Sequence, residues 1–195
     1  MTRLSNWVQG VSSRQVVWQV SDYIPVIAEV GINHNGDMHI AKRLIDMAVD
    51  AGCDAVKFQK RTVNLVYPVE VLNAFRESPW GSTQRAQKEG LEFTFEQYQE
   101  IDAYCAEREI AWSASAWDIP SLEFVDKFNP PFHKVASAML TNRTFVEAVA
   151  EQGRLTLIST GMASMEDVDA VVRRFTSRGT PIVLLHTVST YPAPE

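Results

Sequence analysis

The chain has 195 residues, 46% of them hydrophobic and 22% charged, and a formal net charge of −6. That length can bury a sizeable core in one domain or two, and the composition excludes a disordered chain. The acidic balance argues against nucleic acid or an anionic membrane as a partner, since either favours a basic face, and no apolar run approaches the ~20 residues of a membrane span.

Residues 1–25 lack the apolar core of a secretory signal. Within them 16–20 is expected as a short strand and 21–23 as a turn, together a small N-terminal cap or hairpin. The remainder, 26–195, reads as one domain. A strand over about 26–33 ends in Glu29, Asn33, His34, Asn35 and Gly36. Asp37 is placed to cap a helix over about 38–51, with Ile40, Leu44, Ile45 and Ala48 on its apolar face and Gly52 ending it. A second strand over 55–60 carries Lys57, Gln59 and Lys60. Residues 61–95 form a long polar excursion with one short helix near 69–76, the pattern of a lid or flexible loop. Thr94, with Gln97 three residues on, has the spacing of a capping box for a helix over 95–108.

A strand over 110–115 and a short helix over 119–127 follow, stopped by Asn129-Pro130-Pro131. Next come a strand over 133–138, a helix over 144–152, a strand over 155–160, a helix over 164–177 capped by Ser164, and a strand over 182–188. Repeated β-α alternation specifies a parallel sheet, either an open doubly wound sheet or a (β/α)8 barrel. No glycine-rich phosphate motif follows the first strand, whereas polar residues end every strand, as at the mouth of a barrel. The expectation is a TIM-type (β/α)8 barrel truncated to about six β-α units, since a whole one takes ~250 residues.

Alternate residues of a strand share a face, so Glu29, Gly31 and Asn33 are expected to point together, as are Lys57 and Gln59. The other strand ends are Ser113 and Ser115, Lys134 and Ser137, Ser159 and Thr160, then His186, Ser189 and Tyr191. Two lysines among hydroxyls and an amide make a receptor for phosphate or carboxylate, and Glu29 can move a proton or hold a sugar hydroxyl. Glu29, Lys57 and Lys134 are expected to converge on one rim, although strict alternation puts Lys134 and Ser137 on opposite faces unless the strand frays or bulges.

Among the histidines, His34 suits a turn cap or a substrate contact, His186 a core position satisfied by backbone, and His39 a solvated helix face; His133 lacks a metal-like partner in sequence. No HExxH or spaced His/Cys cluster supports a self-contained metal site. Cys53 and Cys105 form no CxxC pair and read as buried free thiols of a reducing, cytoplasmic protein. A Schiff-base lysine at Lys57 or Lys134, making the protein a barrel aldolase or lyase, stays open. So does a non-catalytic partial barrel that binds a sugar phosphate.

The motifs AEVGINHNGD (28–37), DAVKFQK (54–60), KVASA (134–138), LISTGMAS (157–164) and LLHTVSTYPAP (184–194) occur in series. On them the chain resembles the sialic acid (N-acetylneuraminate) synthase and spore-coat polysaccharide synthase family. The resemblance implies a (β/α)8 barrel that condenses phosphoenolpyruvate with an N-acetylated amino sugar, giving a nine-carbon 2-keto acid and phosphate. It implies catalytic roles for Glu29, Lys57 and Lys134 and substrate binding by Asn33, Gln59, Ser115, Ser137, Ser189 and Tyr191. It also implies a divalent metal, Mn2+ or Mg2+, whose histidine ligands belong to strands beyond residue 195, and a homodimer completed by a C-terminal antifreeze-like domain. Met139 stands where many members carry a glutamate. The 195 residues by themselves are accordingly expected to be an inactive fragment with exposed strand edges at 26–33 and 182–188.

Overall fold

A computed structural model describes residues 3–12 and 23–190, so the expected strand over 16–20, most of the expected turn and Tyr191 lie outside the described residues. The chain divides into two compact units, residues 25–129 and residues 1–24 with 130–195.

The first unit is a three-stranded parallel sheet with its crossover helices. Strand β1 (Ile27–Gly31) pairs with β2 (Ala55–Lys60), and β2 with β5 (Ala111–Ala116). Helix α2 (Met38–Asp50) begins where Asp37 accepts from the His39 and Ile40 N–H groups, as its sequence position requires. Helix α6 (Phe95–Glu107) carries the full capping box of Thr94 and Gln97. Alternation along β2 does the sorting: Val56 and Phe58 join Ile45, Ala48, Tyr98, Ile101 and Trp112 in the buried core, while Lys57 and Gln59 take the other face. Phe58 meets Tyr98 and Trp112 edge-on at ring distances of 6.2 and 6.4 Å, a geometry that adds to area burial. Helix α7 (Ile119–Asp126) follows β5, its N–H at Ser121 satisfied by Asp118.

The 61–95 excursion contains the short helix expected near 69–76 and more regular structure than a flexible loop would have. It holds α3 (Val63–Val66), α4 (Val69–Asn73), an antiparallel hairpin of β3 (Phe75–Ser78) and β4 (Gly81–Thr83), and α5 (Gln84–Gly90). Trp80, at the hairpin tip, lies flat on Gly90: a Cβ there would stand 2.2 Å from the indole. Both ends of the segment are fastened. Lys60 Nζ reaches Glu92 Oε2 and the Phe93 carbonyl at 3.1 Å each, and Thr62 donates its N–H and hydroxyl to Asp118 at 2.7 and 2.9 Å.

The second unit repeats the scheme. Strand β6 (His133–Val135) pairs in parallel with β7 (Thr156–Ser159), and β7 with β8 (Ile182–Leu185). Helix α8 (Arg143–Glu151) is capped by Asn142, and α9 (Met165–Ser177) by Ser164 in a capping box with Asp167. Phe132, Val135, Phe145, Val149, Ile158, Val171 and Phe175 are buried here. Residues 1–24 belong to this unit. They include an unanticipated helix, α1 (Arg3–Ser12), which buries Leu4; Leu4, Trp7, Val8 and Val11 have its i, i+3, i+4, i+7 spacing.

Candidate functional site

The parallel register sets Glu29 beside Lys57, Lys57 beside Ser113 and Gln59 beside Ser115. Lys57 is the centre of this group. Its side chain is only 8% exposed, and its Nζ donates to Glu29 Oε1 and Ser115 Oγ at 2.9 Å each, with Glu29 Oε2 at 2.6 Å. Glu29 is itself 55% exposed, so a buried ammonium is neutralised by a carboxylate that still faces solvent. A buried charge needs such a partner. These are the contacts of a charged donor, suited to gripping an oxyanion.

Asn33 lies in the turn beyond β1 rather than on the strand. The strand register shifts between Glu29 and Gly31. The chain then turns through Asn33 N–H to the Val30 carbonyl, Asn35 to Ile32 and Asp37 to His34, at 2.9, 3.1 and 2.9 Å. Asn33 therefore lines a groove of about 910 Å3 with Asn35, Arg76, Glu77, Trp80 and Gln97. His34 caps the same turn. It is 2% exposed, accepts the Gly36 N–H at Nδ1 over 3.1 Å, and stacks on Phe93 at 4.1 Å. Burial holds its pKa at about 4, so the ring is neutral.

In the second unit Lys134 donates to Ser159 Oγ and the Val135 carbonyl at 2.8 Å each. The alternation problem at Ser137 disappears because β6 stops at Val135 and the chain enters a 3-10 turn, Ser137–Met139. Ser137 Oγ then accepts the Gly161 N–H at 3.1 Å. Gly161 has no room for a side chain: a Cβ would stand 2.2 Å from Ser189 Oγ and 3.0 Å from both Ser137 Oγ and the Thr187 carbonyl oxygen. The loops after β6, β7 and β8 thus meet at one α-carbon. His186 is exposed rather than a core residue, because β8 ends at Leu185. His39 is exposed on α2, as expected.

Sequence reasoning passed over Arg61. It continues the Lys57, Gln59 alternation one step beyond the strand, is 8% exposed, and donates from NH2 to Gln59 Oε1 and from NH1 to Tyr67 Oη at 3.0 Å. The period of two was the available signal. Cys105 is buried with its thiol pushed up to about 12 by desolvation, and Cys53 is partly buried; neither is in a disulfide.

A family model described as "NeuB family" matches residues 44–195. The chain belongs to the NeuB family. Relatives include N-acetylneuraminate-9-phosphate synthases of Drosophila melanogaster, 37% identical over 174 residues, and of Homo sapiens, 37% identical over 169 residues. These alignments take in 88% and 86% of the chain but 47% of either relative, so the chain spans about half their length. Among solved structures, the N-acetylneuraminic acid synthetase of Leptospira borgpetersenii aligns at 29% identity and TM-score 0.75, over 91% of this chain and 61% of that one. A phospho-2-dehydro-3-deoxyheptonate aldolase of Thermotoga maritima aligns at 8% identity and TM-score 0.59 and supports the fold alone, over 86% of this chain and 43% of that one. The expected family membership and TIM-type α/β fold are thereby shown. Among the described residues no helix is long and apolar enough to cross a membrane.

Proposed function

We propose that this NeuB-family chain serves the condensation of phosphoenolpyruvate with the open-chain aldehyde of an N-acetylated amino sugar of N-acetylmannosamine type. The carrying observation is Lys57, a buried ammonium held between Glu29 and Ser115 on a parallel-sheet face, in a family whose named members are sialic acid-type synthases. In this reading Lys57, Gln59 and Ser115 bind oxyanions of phosphoenolpyruvate, and Lys134 and Ser137 of the second unit do the same. Glu29 handles a proton and contacts the sugar with Asn33, Ser189 and Tyr191. The C3 carbon of the enol attacks the aldehyde carbon while the aldehyde oxygen takes a proton. Water adds at C2, and the tetrahedral intermediate expels phosphate to leave the 2-keto acid.

Among the described residues no three His, Cys, Asp or Glu side chains gather to hold a metal ion. These residues therefore do not fit a self-contained metal site. The Mn2+ or Mg2+ that the family resemblance implies would take ligands elsewhere. A homodimer and a cytoplasmic location belong to the same proposal.

Calorimetry with phosphoenolpyruvate tests it. The chain should bind, and Lys57→Met and Lys134→Met should each weaken binding roughly tenfold or more, the scale of one charge-assisted hydrogen bond. Unchanged affinity in Lys57→Met would overturn the assignment. Turnover by the 195 residues alone, supplied with amino sugar and Mn2+, should be slight; ready phosphate release would refute that part.

A further inference from the structure

Arg61 is a buried cation whose partners are all neutral. Besides Gln59 and Tyr67 it faces the Trp117 ring, with its guanidinium carbon 5.2 Å from the ring centre. Among the described residues no carboxylate forms an ion pair with its side chain. The adjacent Glu92 is occupied by Lys60 Nζ and by the backbone N–H of Arg61 itself, each at 3.1 Å. A guanidinium has five N–H donors. Two have partners here, and Nε is buried without one.

A carbonyl oxygen and a phenol can be served by a neutral donor. Neither accounts for keeping a full charge at 8% exposure, which is costly without a counter-ion. Its field is felt nearby: burial first, then the charge of Arg61, holds Lys88 below its ordinary value. Because Arg61 bonds to Gln59, which shares a strand face with Lys57, the uncommitted donors belong to the same polar face.

We propose that Arg61 is an anion-binding residue, holding a carboxylate or phosphate of a small organic ligand on the face that carries Lys57 and Gln59. The planar fork suits such groups. Resting on the synthase reading, the oxyanion has two sources of like chemistry, phosphoenolpyruvate itself or a phosphate on the amino sugar.

The test is calorimetry of the wild-type chain, Arg61→Gln, Arg61→Lys and Lys57→Met with phosphoenolpyruvate, a hexosamine 6-phosphate and inorganic phosphate. Arg61→Gln should weaken one organic anion roughly tenfold to a hundredfold, with Arg61→Lys between it and wild type. Loss confined to phosphoenolpyruvate, or to the sugar phosphate, supports the proposal and names the source. Equal binding of every probe by Arg61→Gln and wild type overturns it, and leaves the synthase reading standing if Lys57→Met still loses phosphoenolpyruvate. Phosphate binding lost in Arg61→Gln, with phosphoenolpyruvate unaffected in Lys57→Met, supports the proposal and sinks that reading. Should Arg61→Gln fold poorly, the Nε–H resonance of Arg61 in the wild-type chain decides. A shift on adding phosphate or phosphoenolpyruvate supports the proposal, and an unmoved signal at saturation overturns it.

Discussion

Lys57 on β2 and His34 in the turn after β1 are two basic side chains that the first unit treats in opposite ways. Lys57 is buried yet given a carboxylate and a hydroxyl, so its charge is kept for use. His34 is buried against Phe93 with its Nδ1 accepting from backbone, so its neutral form is built into the fold. Its folded pKa of about 4 lies below the 6.5 of an unfolded chain. The unfolded chain then takes up the proton first on acidification. Stability from His34 is therefore complete above about pH 6.5 and is lost as the pH falls towards 4, by about 3 kcal/mol at most. His34→Asn, whose side-chain oxygen can accept the Gly36 N–H, should flatten denaturation midpoints across that window. An unchanged slope would refute the assignment.

The excursion between β2 and α6 is held by interactions that a polar sequence conceals. Lys60 and Glu92 have side chains 14% and 12% exposed, so Lys60→Met strands a carboxylate. The expected loss is about 3 kcal/mol, with new protease cleavage within 61–93. Lys42→Met, which removes an exposed pair with Glu100, should cost far less, because solvent screens such a pair. Equal losses would refute the distinction. Helix starts at Asp37, Thr94 and Ser164 were legible because capping is local chemistry. The hairpin Phe75–Thr83 was not, because exposed strands such as FRES and GST show no apolar alternation. The run through Ser137 looks like strand for the reverse reason: KVASA is apolar enough to continue β6, but the chain turns after Val135. The candidate lysines were readable from their place at strand ends. Arg61 is harder to read, because a charge just past a strand ordinarily faces water; the period of two hints otherwise, and its packing against Trp117 and Tyr67 shows it.

At the scale of the chain, six parallel strands in two units account for the described β-α alternation. Among the described residues β1 pairs with β2 and β8 with β7, each along one side within its own unit. Beside them Val26, Leu184 and Val188 are 55%, 43% and 50% exposed. Unpaired apolar strand edges recruit other chains, so light scattering should show association that Leu184→Lys reduces. A clean wild-type monomer at moderate concentration would count against it.

The crowding around Gly161 has a mechanical outcome. Ser137, Thr187 and Ser189 press on an α-carbon that cannot carry even a methyl group, and interiors packed that closely pass displacement on rather than absorb it. Three connections far apart in sequence are thereby geared together, and none of them can swing while the other two stay still.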